Sequence, residues 1–204
     1  MFRNAEVYGD VMDQKKILRL LDELRKEFLT EEPKASKASE TLFDFKDGNG
    51  PVPAHQHQNP DGTKGGWVAD TASVDPTAFV GPNAQVFDNA TVCGNAQVYG
   101  HARVYRNARV SGNARAYDNA EVFGDARVYR NARVCEHAQV CGNAEVFGDA
   151  LVFGDAWVYG NALVYENAEV FGNARVFERA QVFGSAWVCE NARVSENAEV
   201  FEKS

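Results

Sequence analysis

The chain has 204 residues, of which 45% are hydrophobic and 25% charged, and its formal net charge is −8 at pH 7. This length suits one domain with an appendage, and the negative charge disfavours nonspecific binding of the whole molecule to nucleic acid or anionic membranes. No stretch approaches 18 apolar residues, and Met1-Phe2-Arg3-Asn4 begins no apolar signal segment. We therefore expect a cytoplasmic protein without a membrane anchor.

The first 30 residues carry an isolated six-residue phrase and then a helical pattern. The phrase, residues 4–9, reads Asn-Ala-Glu-Val-Tyr-Gly. Apolar residues then recur at intervals of four, three and four: Ile17, Leu21, Leu24 and Phe28. This spacing predicts an amphipathic α-helix within residues 11–29. Two heptads are too short for a stable free coiled coil, so the helix is expected either to cap the following domain or to act as a short oligomerising segment.

Residues 31–66 are predicted to form a flexible linker. Residues 31–40 are mostly Glu, Lys, Ser and Ala, which cannot bury a core, and several Gly and Pro residues follow. Within this segment, Leu42-Phe43-Asp44-Phe45 could add one strand or dock into a groove. We expect that deletion of residues 31–62 leaves thermal unfolding of the remainder nearly unchanged.

The linker also contains two closely spaced histidines, His55 and His57. On an extended segment, a His-x-His spacing puts both imidazoles on one side, where Zn²⁺ or Ni²⁺ could use them. Two ligands of four are a weak signal, and neither a cysteine nor a third histidine lies nearby in sequence. A solvated linker with incidental histidines is therefore favoured over a metal site.

Residues 67–204 repeat the phrase Asn/Asp-Ala-x-Val-aromatic-Gly without an insertion or deletion. Every sixth residue from Val68 to Val200 is valine except Ala116, over 23 positions. Alanine stands two residues before each of these positions from Ala72 to Ala198. Because alternate residues of a strand share one face, Ala and Val point to one side, and x and the aromatic residue point to the other. We call these outward positions the pre-valine slot and the aromatic slot.

This periodicity predicts a stacked β-solenoid. The Gly-Asn and Gly-Asp pairs supply corners. An α-helix is excluded, because at about 100° per residue it would point valines six residues apart in different directions. In its aliphatic and small residues the chain resembles the hexapeptide-repeat superfamily, which implies a left-handed parallel β-helix with three phrases per triangular coil. The expected fold is therefore all-β, with about eight coils preceded by the N-terminal helix and the linker.

The outward slots contain the candidate interaction residues. If every third phrase shares a face, one face carries a row of rings: Tyr129, Phe147, Tyr165, Phe183 and Phe201. Stacked rings support one another, and contiguous exposed apolar surface usually marks a partner. We single out Phe147, Tyr165 and Phe183 for self-association. The alternative is that these rings only stabilise the fold.

The pre-valine slot is rich in arginine between residues 101 and 135: Arg103, Arg109, Arg115, Arg127 and Arg133. From residue 136 onwards acidic residues outnumber basic ones. Such a basic belt is expected to meet the acidic part of another copy or to be solvated. Together with tyrosines it could also bind single-stranded nucleic acid, which is the least favoured of the three readings.

The resemblance also implies an enzymatic alternative. The superfamily is best known for acyltransferases that use acetyl-CoA or acyl carrier protein, with a catalytic histidine near projecting loops. Here the unbroken register leaves no such loop, and His101 and His137 replace asparagine at corners. The three converging histidines of γ-class carbonic anhydrases are not matched either. We predict no catalytic residue, cofactor or metal.

A closer resemblance is to hexapeptide-repeat proteins of phages and prophages. It rests on runs such as Asn95-Ala96-Gln97-Val98-Tyr99-Gly100 and on the entry Gly65-Gly66-Trp67-Val68-Ala69. It implies a bacterial or phage origin and brings no activity. The leading hypothesis is a non-enzymatic, self-associating structural or interaction protein. The alternatives are a hexapeptide-type acyltransferase, and nucleic-acid binding or mimicry.

Overall fold

A computed structural model describes residues 41–202, which form an all-β parallel solenoid of about eight coils. The predicted N-terminal helix and residues 31–40 of the predicted linker lie outside the described residues. No helix occurs between residues 41 and 202. The predicted solenoid is thus confirmed, and the left-handed sense of its winding stays a prediction from the resemblance.

Three sheets make up the sides of the solenoid. Sheet 1 has ten strands, listed in their spatial order: β1 Leu42–Phe43, β2 Val52–Gln58, β3 Lys64–Ala69, β6 Gln85–Val86, β9 Arg103–Val104, β12 Glu121–Val122, β15 Gln139–Val140, β18 Trp157–Val158, β21 Arg175–Val176 and β24 Arg193–Val194. Sheet 2 has eight: β4 Ser73–Val74, β7 Thr91–Val92, β10 Arg109–Val110, β13 Arg127–Val128, β16 Glu145–Val146, β19 Leu163–Val164, β22 Gln181–Phe183 and β25 Glu199–Phe201. Sheet 3 has seven: β5 Phe79–Val80, β8 Gln97–Val98, β11 Arg115–Ala116, β14 Arg133–Val134, β17 Leu151–Val152, β20 Glu169–Val170 and β23 Trp187–Val188.

Each strand of a coil pairs in parallel with the strand three phrases later, in a constant register. Val110, for example, lies beside Val92 on one side and Val128 on the other. The interior is therefore filled by columns of valine and alanine, nearly all of which are fully buried. Ala116 is also fully buried, between Val98 and Val134.

The corners explain why the last residue of the phrase is often glycine. Every sixth residue from Asp88 to Glu196 has a φ between 57° and 77°, in the left-handed region that favours glycine. Nine of these 19 corner residues are Asp, Glu or Arg rather than glycine. Several acidic ones offset the backbone strain with a hydrogen bond, since Glu136 and Glu166 accept from the backbone N–H of Gly154 and Gly184, one coil further on.

Residues 41–66 fold against the first coil, so the prediction of a flexible linker is wrong for this part of the segment. Strand β1 pairs antiparallel with β2, β2 pairs antiparallel with β3, and β3 enters the parallel sheet beside β6. Phe45 follows β1, is 2% exposed, and stacks on Phe87 with ring centroids 4.8 Å apart. Phe43 stacks on Trp67 in the same way, at 4.5 Å.

The β2–β3 hairpin also satisfies the free edge of the first strand of sheet 3. The side chain of Asn59 accepts from the backbone N–H of Val80 at 2.9 Å and donates to its carbonyl oxygen at 3.1 Å. Asn59 is only 3% exposed, so this amide takes the place of a neighbouring strand. Gly65 allows the close approach of the hairpin to Val80, because a Cβ at position 65 would collide with the carbonyl oxygen of Val80.

The residues that the structure describes include no helix long and apolar enough to cross a membrane.

Candidate functional site

The three predicted interaction rings belong to a continuous stack on sheet 2. We call this stack the sheet 2 ladder; it consists of Tyr129, Phe147, Tyr165, Phe183 and Phe201. Consecutive ring centroids lie 4.9–5.0 Å apart, and neighbouring planes differ by 3–14°. The strand spacing of a sheet is about 4.7–4.9 Å, so the coil repeat itself sets the rings at stacking distance. The sequence therefore placed Phe147, Tyr165 and Phe183 on the same row.

The tyrosine hydroxyls of the ladder form hydrogen bonds with side chains in the pre-valine slot of the next coil. The Tyr129 hydroxyl donates to Glu145 at 2.9 Å, and the Tyr165 hydroxyl donates to Gln181 at 3.3 Å. Burial, followed by the hydrogen bond and the charge of Glu145, raises the pKa of Tyr129 to about 12. The tyrosines thus present ring surface while their hydroxyls are already paired.

The exposure of the ladder is uneven along its length. Tyr129, Phe147, Tyr165 and Phe183 are half-buried, whereas Phe201 keeps 48% of its surface exposed. Leu163 adds a half-buried aliphatic side chain to the same sheet, in the pre-valine slot between Glu145 and Gln181. This face therefore offers a continuous apolar strip to solvent.

The predicted basic belt is divided among the three sheets. Arg109 lies beside Arg127 on sheet 2, and Arg115 lies beside Arg133 on sheet 3. These four side chains are exposed. The five arginines therefore do not share one face, because consecutive phrases turn to different sides, and their role in an interaction stays a prediction.

Arg103 is the fifth arginine, and it serves the fold. It donates from Nη2 to the carbonyl oxygen of Phe45 at 2.8 Å, and its guanidinium lies 4.9 Å from the centre of the Phe87 ring. Arg103 also forms an ion pair with Glu121 at 3.8 Å, while its buried Nε has no hydrogen-bond partner among the described residues. Arg103, on the third parallel strand of sheet 1, thus fastens the segment after β1 to that sheet and is a structural residue.

Sheet 2 is open on the N-terminal side of Tyr129. The preceding aromatic slots hold Ser111 and Cys93, so the ladder has no ring there. A groove of about 560 Å³ lies at this point, lined by residues that include Arg109, Ser111, Arg127 and Tyr129. We call it the sheet 2 notch. The sequence contained the signal for it, namely two small residues in consecutive aromatic slots of one face.

His55 and His57 do not share one side of β2, contrary to the sequence-based expectation. A β-bulge lies between Gln56 and Gln58, and it changes the alternation of the strand. His55 is exposed, with Nδ1 2.7 Å from Oδ1 of Asp70, whereas His57 is buried, with Nε2 3.1 Å from the carbonyl oxygen of Ala78. Within residues 41–202, no group of three or more His, Cys, Asp or Glu side chains is placed to hold a metal ion.

The corner histidines belong to ladders of polar side chains that follow the corners. Asn119 contacts Nε2 of His137 at 3.4 Å, and Asn113 donates to Asn131 at 3.2 Å, each across one coil. The phrase predicted Asn as turn chemistry but not these ladders. His101, in the same kind of corner, is exposed.

A cleft of about 720 Å³ lies between the segment after β1 and a corner of the first coils. Asp47, Asp88 and Arg106 contribute polar groups to it. Asp88 accepts from the backbone N–H of Arg106, and Asp47 accepts from that of Asn49. These two carboxylates thus fix the backbone, whereas a third carboxylate in the lining, Asp70, lies 2.7 Å from Nδ1 of the exposed His55.

One comparison with known proteins gives a match. A family model described as the YdcK beta solenoid repeat matches residues 96–112. This match and the stacked coils support a repeat β-solenoid. Neither a curated protein nor a solved structure matches the chain.

Proposed function

We propose that this chain is a rigid, non-enzymatic β-solenoid that associates with further copies of itself through the sheet 2 ladder. The resemblance of its phrases to hexapeptide-repeat proteins of phages and prophages supports a bacterial or phage origin. The proposed role is that of a structural or interaction protein.

The observation that carries this proposal is the continuous, half-exposed stack from Tyr129 to Phe201. Side-chain stacking covers the faces of the rings but leaves their edges on the surface of sheet 2. Apolar strips of this kind favour association, and aromatic residues are enriched at the centres of interfaces. Because the tyrosine hydroxyls are already paired within the chain, burying this strip leaves few polar groups without partners.

The distribution of charge supports a second copy as the partner. Exposed arginines at positions 109 and 127 of sheet 2 lie in the middle coils, while Glu166, Glu196 and Glu199 lie further along the chain. Opposite charges at different heights of one solenoid are complementary when two copies lie side by side with an offset or in opposite directions. Raised salt is therefore expected to weaken the association.

The regular coil favours this role over an acyltransferase. His101 and His137 stand in corners of ordinary phrases, and the register of strands from β3 to β25 contains no inserted loop. A general base requires a positioned partner and a substrate cleft. In the cleft between the segment after β1 and the first coils, Asp47 and Asp88 are engaged with the backbone, and Asp70 with His55.

The test is to replace Phe147, Tyr165 and Phe183 with Ser in one variant and to measure the mass of the native particle by light scattering. We expect the unaltered protein to be oligomeric at tens of micromolar, and the triple variant to be monomeric with an unchanged β-rich circular dichroism spectrum.

A matched control removes three half-buried rings from another side: Phe123, Tyr159 and Phe177 of sheet 1. This control is expected to stay oligomeric. A monomeric unaltered protein would contradict self-association, and equal loss of association in both triple variants would contradict its assignment to sheet 2.

A further inference from the structure

Sheet 2 has a missing ring at one end of its ladder and an exposed ring at the other. At the notch, Ser111 occupies the aromatic slot beside Tyr129 and leaves a groove of about 560 Å³. At the far end, Phe201 stacks on Phe183 at 5.0 Å and keeps 48% of its surface exposed. One sheet thus carries both a vacant ring position and a ring suited to fill such a position.

Two copies can use both features at once if their sheets 2 face each other with the solenoid axes antiparallel. The two-fold axis lies in the plane between the two facing sheets, runs parallel to the strands, and passes between β16 and β19. Rotation about it reverses the order of the coils and keeps each slot opposite the same slot of the second copy. Ser111 then lies opposite Phe201 of the second copy. The other four rings of the ladder meet one another: Tyr129 opposite Phe183, and Phe147 opposite Tyr165.

The same arrangement brings opposite charges together at three places. These pairs of exposed residues become opposite: Arg109 and Glu199, Arg106 and Glu196, Asp125 and Arg179. Each pair occurs twice in a two-fold dimer. Between residues 106 and 202, no two like charges in the same slot of sheet 2 or its flanking corners oppose one another. Complementary charge of this kind fixes the register and suppresses other pairings.

Alternative registers are less favourable. If the axis moves by half a coil in one direction, Glu145 meets Glu145 of the second copy. If it moves by half a coil in the other direction, Arg127 meets Glu199, but Glu166 meets Glu166 and Phe201 lies opposite Tyr129 instead of the notch. When the two solenoids run in the same direction, the coils that carry Arg109 and Arg127 lie side by side, and so do the coils that carry the glutamates. Like charges in contact are destabilising, which leaves the antiparallel register.

We propose that this chain forms an antiparallel two-fold dimer in which Phe201 of each copy occupies the sheet 2 notch of the other. This inference rests on the proposed self-association, and it adds the orientation of the partner and the residues that select it. Arg109 and Glu199 are the specificity pair, since they flank the notch and the inserted ring.

A charge exchange tests the orientation. The dissociation constant of the full chain is measured by sedimentation equilibrium for the unaltered protein, for Arg109→Glu, for Glu199→Arg, and for the variant with both changes. Each single change is expected to raise the dissociation constant about tenfold or more, because it makes two equivalent contacts repulsive. The variant with both changes is expected to return to within about threefold of the original value. Arg115→Glu, an exposed change on sheet 3, is the matched control and should have no effect.

A second variant tests the notch. Ser111→Phe fills the vacant ring position and leaves no room for Phe201, so a monomer that still folds as a solenoid is expected. Phe201→Ser should weaken the dimer as well.

The outcomes separate the two proposals. If the unaltered protein self-associates but the combined charge exchange stays as weak as the single changes, or Ser111→Phe still forms the dimer, the antiparallel arrangement is wrong and self-association stands. A trimer would overturn the two-fold arrangement in the same way. A monomer at tens of micromolar would overturn both.

Discussion

The rows of rings on sheets 1 and 2 use the same slot of the phrase, but their first rings have different surroundings. On sheet 1 the row starts at Phe87, which Phe45 covers at 4.8 Å; both rings are at most 2% exposed. On sheet 2 the row starts at Tyr129, beside the notch at Ser111. Within residues 41–202, Phe45 closes the N-terminal end of the first row, and the corresponding end of the second row is open at the notch.

This difference shows which residues decide the use of a surface. The repeat produces a row of rings on each side where its aromatic slots are filled. Residues outside the repeat can then cover a row: the segment after β1 reaches sheet 1, where Arg103 holds it through the carbonyl oxygen of Phe45. A row that ends beside a vacant ring position, as the described part of sheet 2 does, offers a partner a place for a ring of its own.

Removal of the ring that closes sheet 1 should have the largest effect on stability. Phe45→Ala is expected to lower the free energy of unfolding by about 3–5 kcal/mol, because it leaves a cavity over Phe87. Phe201→Ala, at the half-exposed end of sheet 2, should cost about 1 kcal/mol or less in the monomer. Urea denaturation, with hydrogen exchange to locate the change to residues 41–87, measures both effects. Equal losses for the two variants would contradict the distinction between a closed and an open row.

The sequence predicted the coil and its rows because both follow from a strict period. Residues 18 apart lie beside each other in the structure, so Phe147 and Tyr165 could be assigned to one row. The same period also separates Arg103, Arg109 and Arg115 onto three sides. The predicted belt of arginines is therefore distributed over three sides of the middle coils.

The folding of residues 41–66 against the first coils could not be predicted in this way. Its contacts are long-range, from Phe45 to Phe87 and from Asn59 to Val80, and no period relates these residues. Composition indicated a linker for residues 31–66, because Gly, Pro and polar residues outnumber the two phenylalanines. Consequently, the expectation that deletion of residues 31–62 leaves unfolding nearly unchanged is reversed: the deletion removes Phe45 and Asn59, and unfolding is expected at a lower temperature.

Completing the open row should stabilise the chain to a smaller extent. In Ser111→Phe the introduced ring would stack on Tyr129, and Arg127 would lie over it, as Arg103 does over Phe87 at 4.9 Å. An aromatic pair contributes about 0.5–1.5 kcal/mol beyond its buried area, so the midpoint of thermal unfolding of the monomer should rise. Ser111→Leu is the matched control, since it adds apolar volume without a ring. A rise no larger than that of the control would indicate that stacking adds nothing at this position.

The smallest expected effect is a pH dependence that compares one tyrosine of each row. Burial and Glu121 raise the pKa of Tyr105 on sheet 1 to about 12, and burial and Glu145 do the same for Tyr129 on sheet 2. A tyrosine in the unfolded chain has a pKa near 10, so folding favours the protonated hydroxyl. Its contribution to stability is complete below about pH 10 and is lost as the pH rises towards 12.

Urea denaturation at pH 8 and pH 11 measures this loss. The unaltered protein should be less stable at pH 11, and Tyr105→Phe and Tyr129→Phe should each reduce the difference, because phenylalanine cannot ionise. At pH 8 each variant should be slightly less stable, since it loses a hydrogen bond of 3.1 Å or 2.9 Å to a glutamate.

If the antiparallel dimer forms, Tyr129 becomes further buried opposite Phe183 of the second copy, while Tyr105 does not change. Raising the protein concentration should then shift the titration of Tyr129, followed by tyrosinate absorbance, to higher pH and leave that of Tyr105 in place. A shift of both tyrosines, or of neither, would contradict an interface confined to the open row.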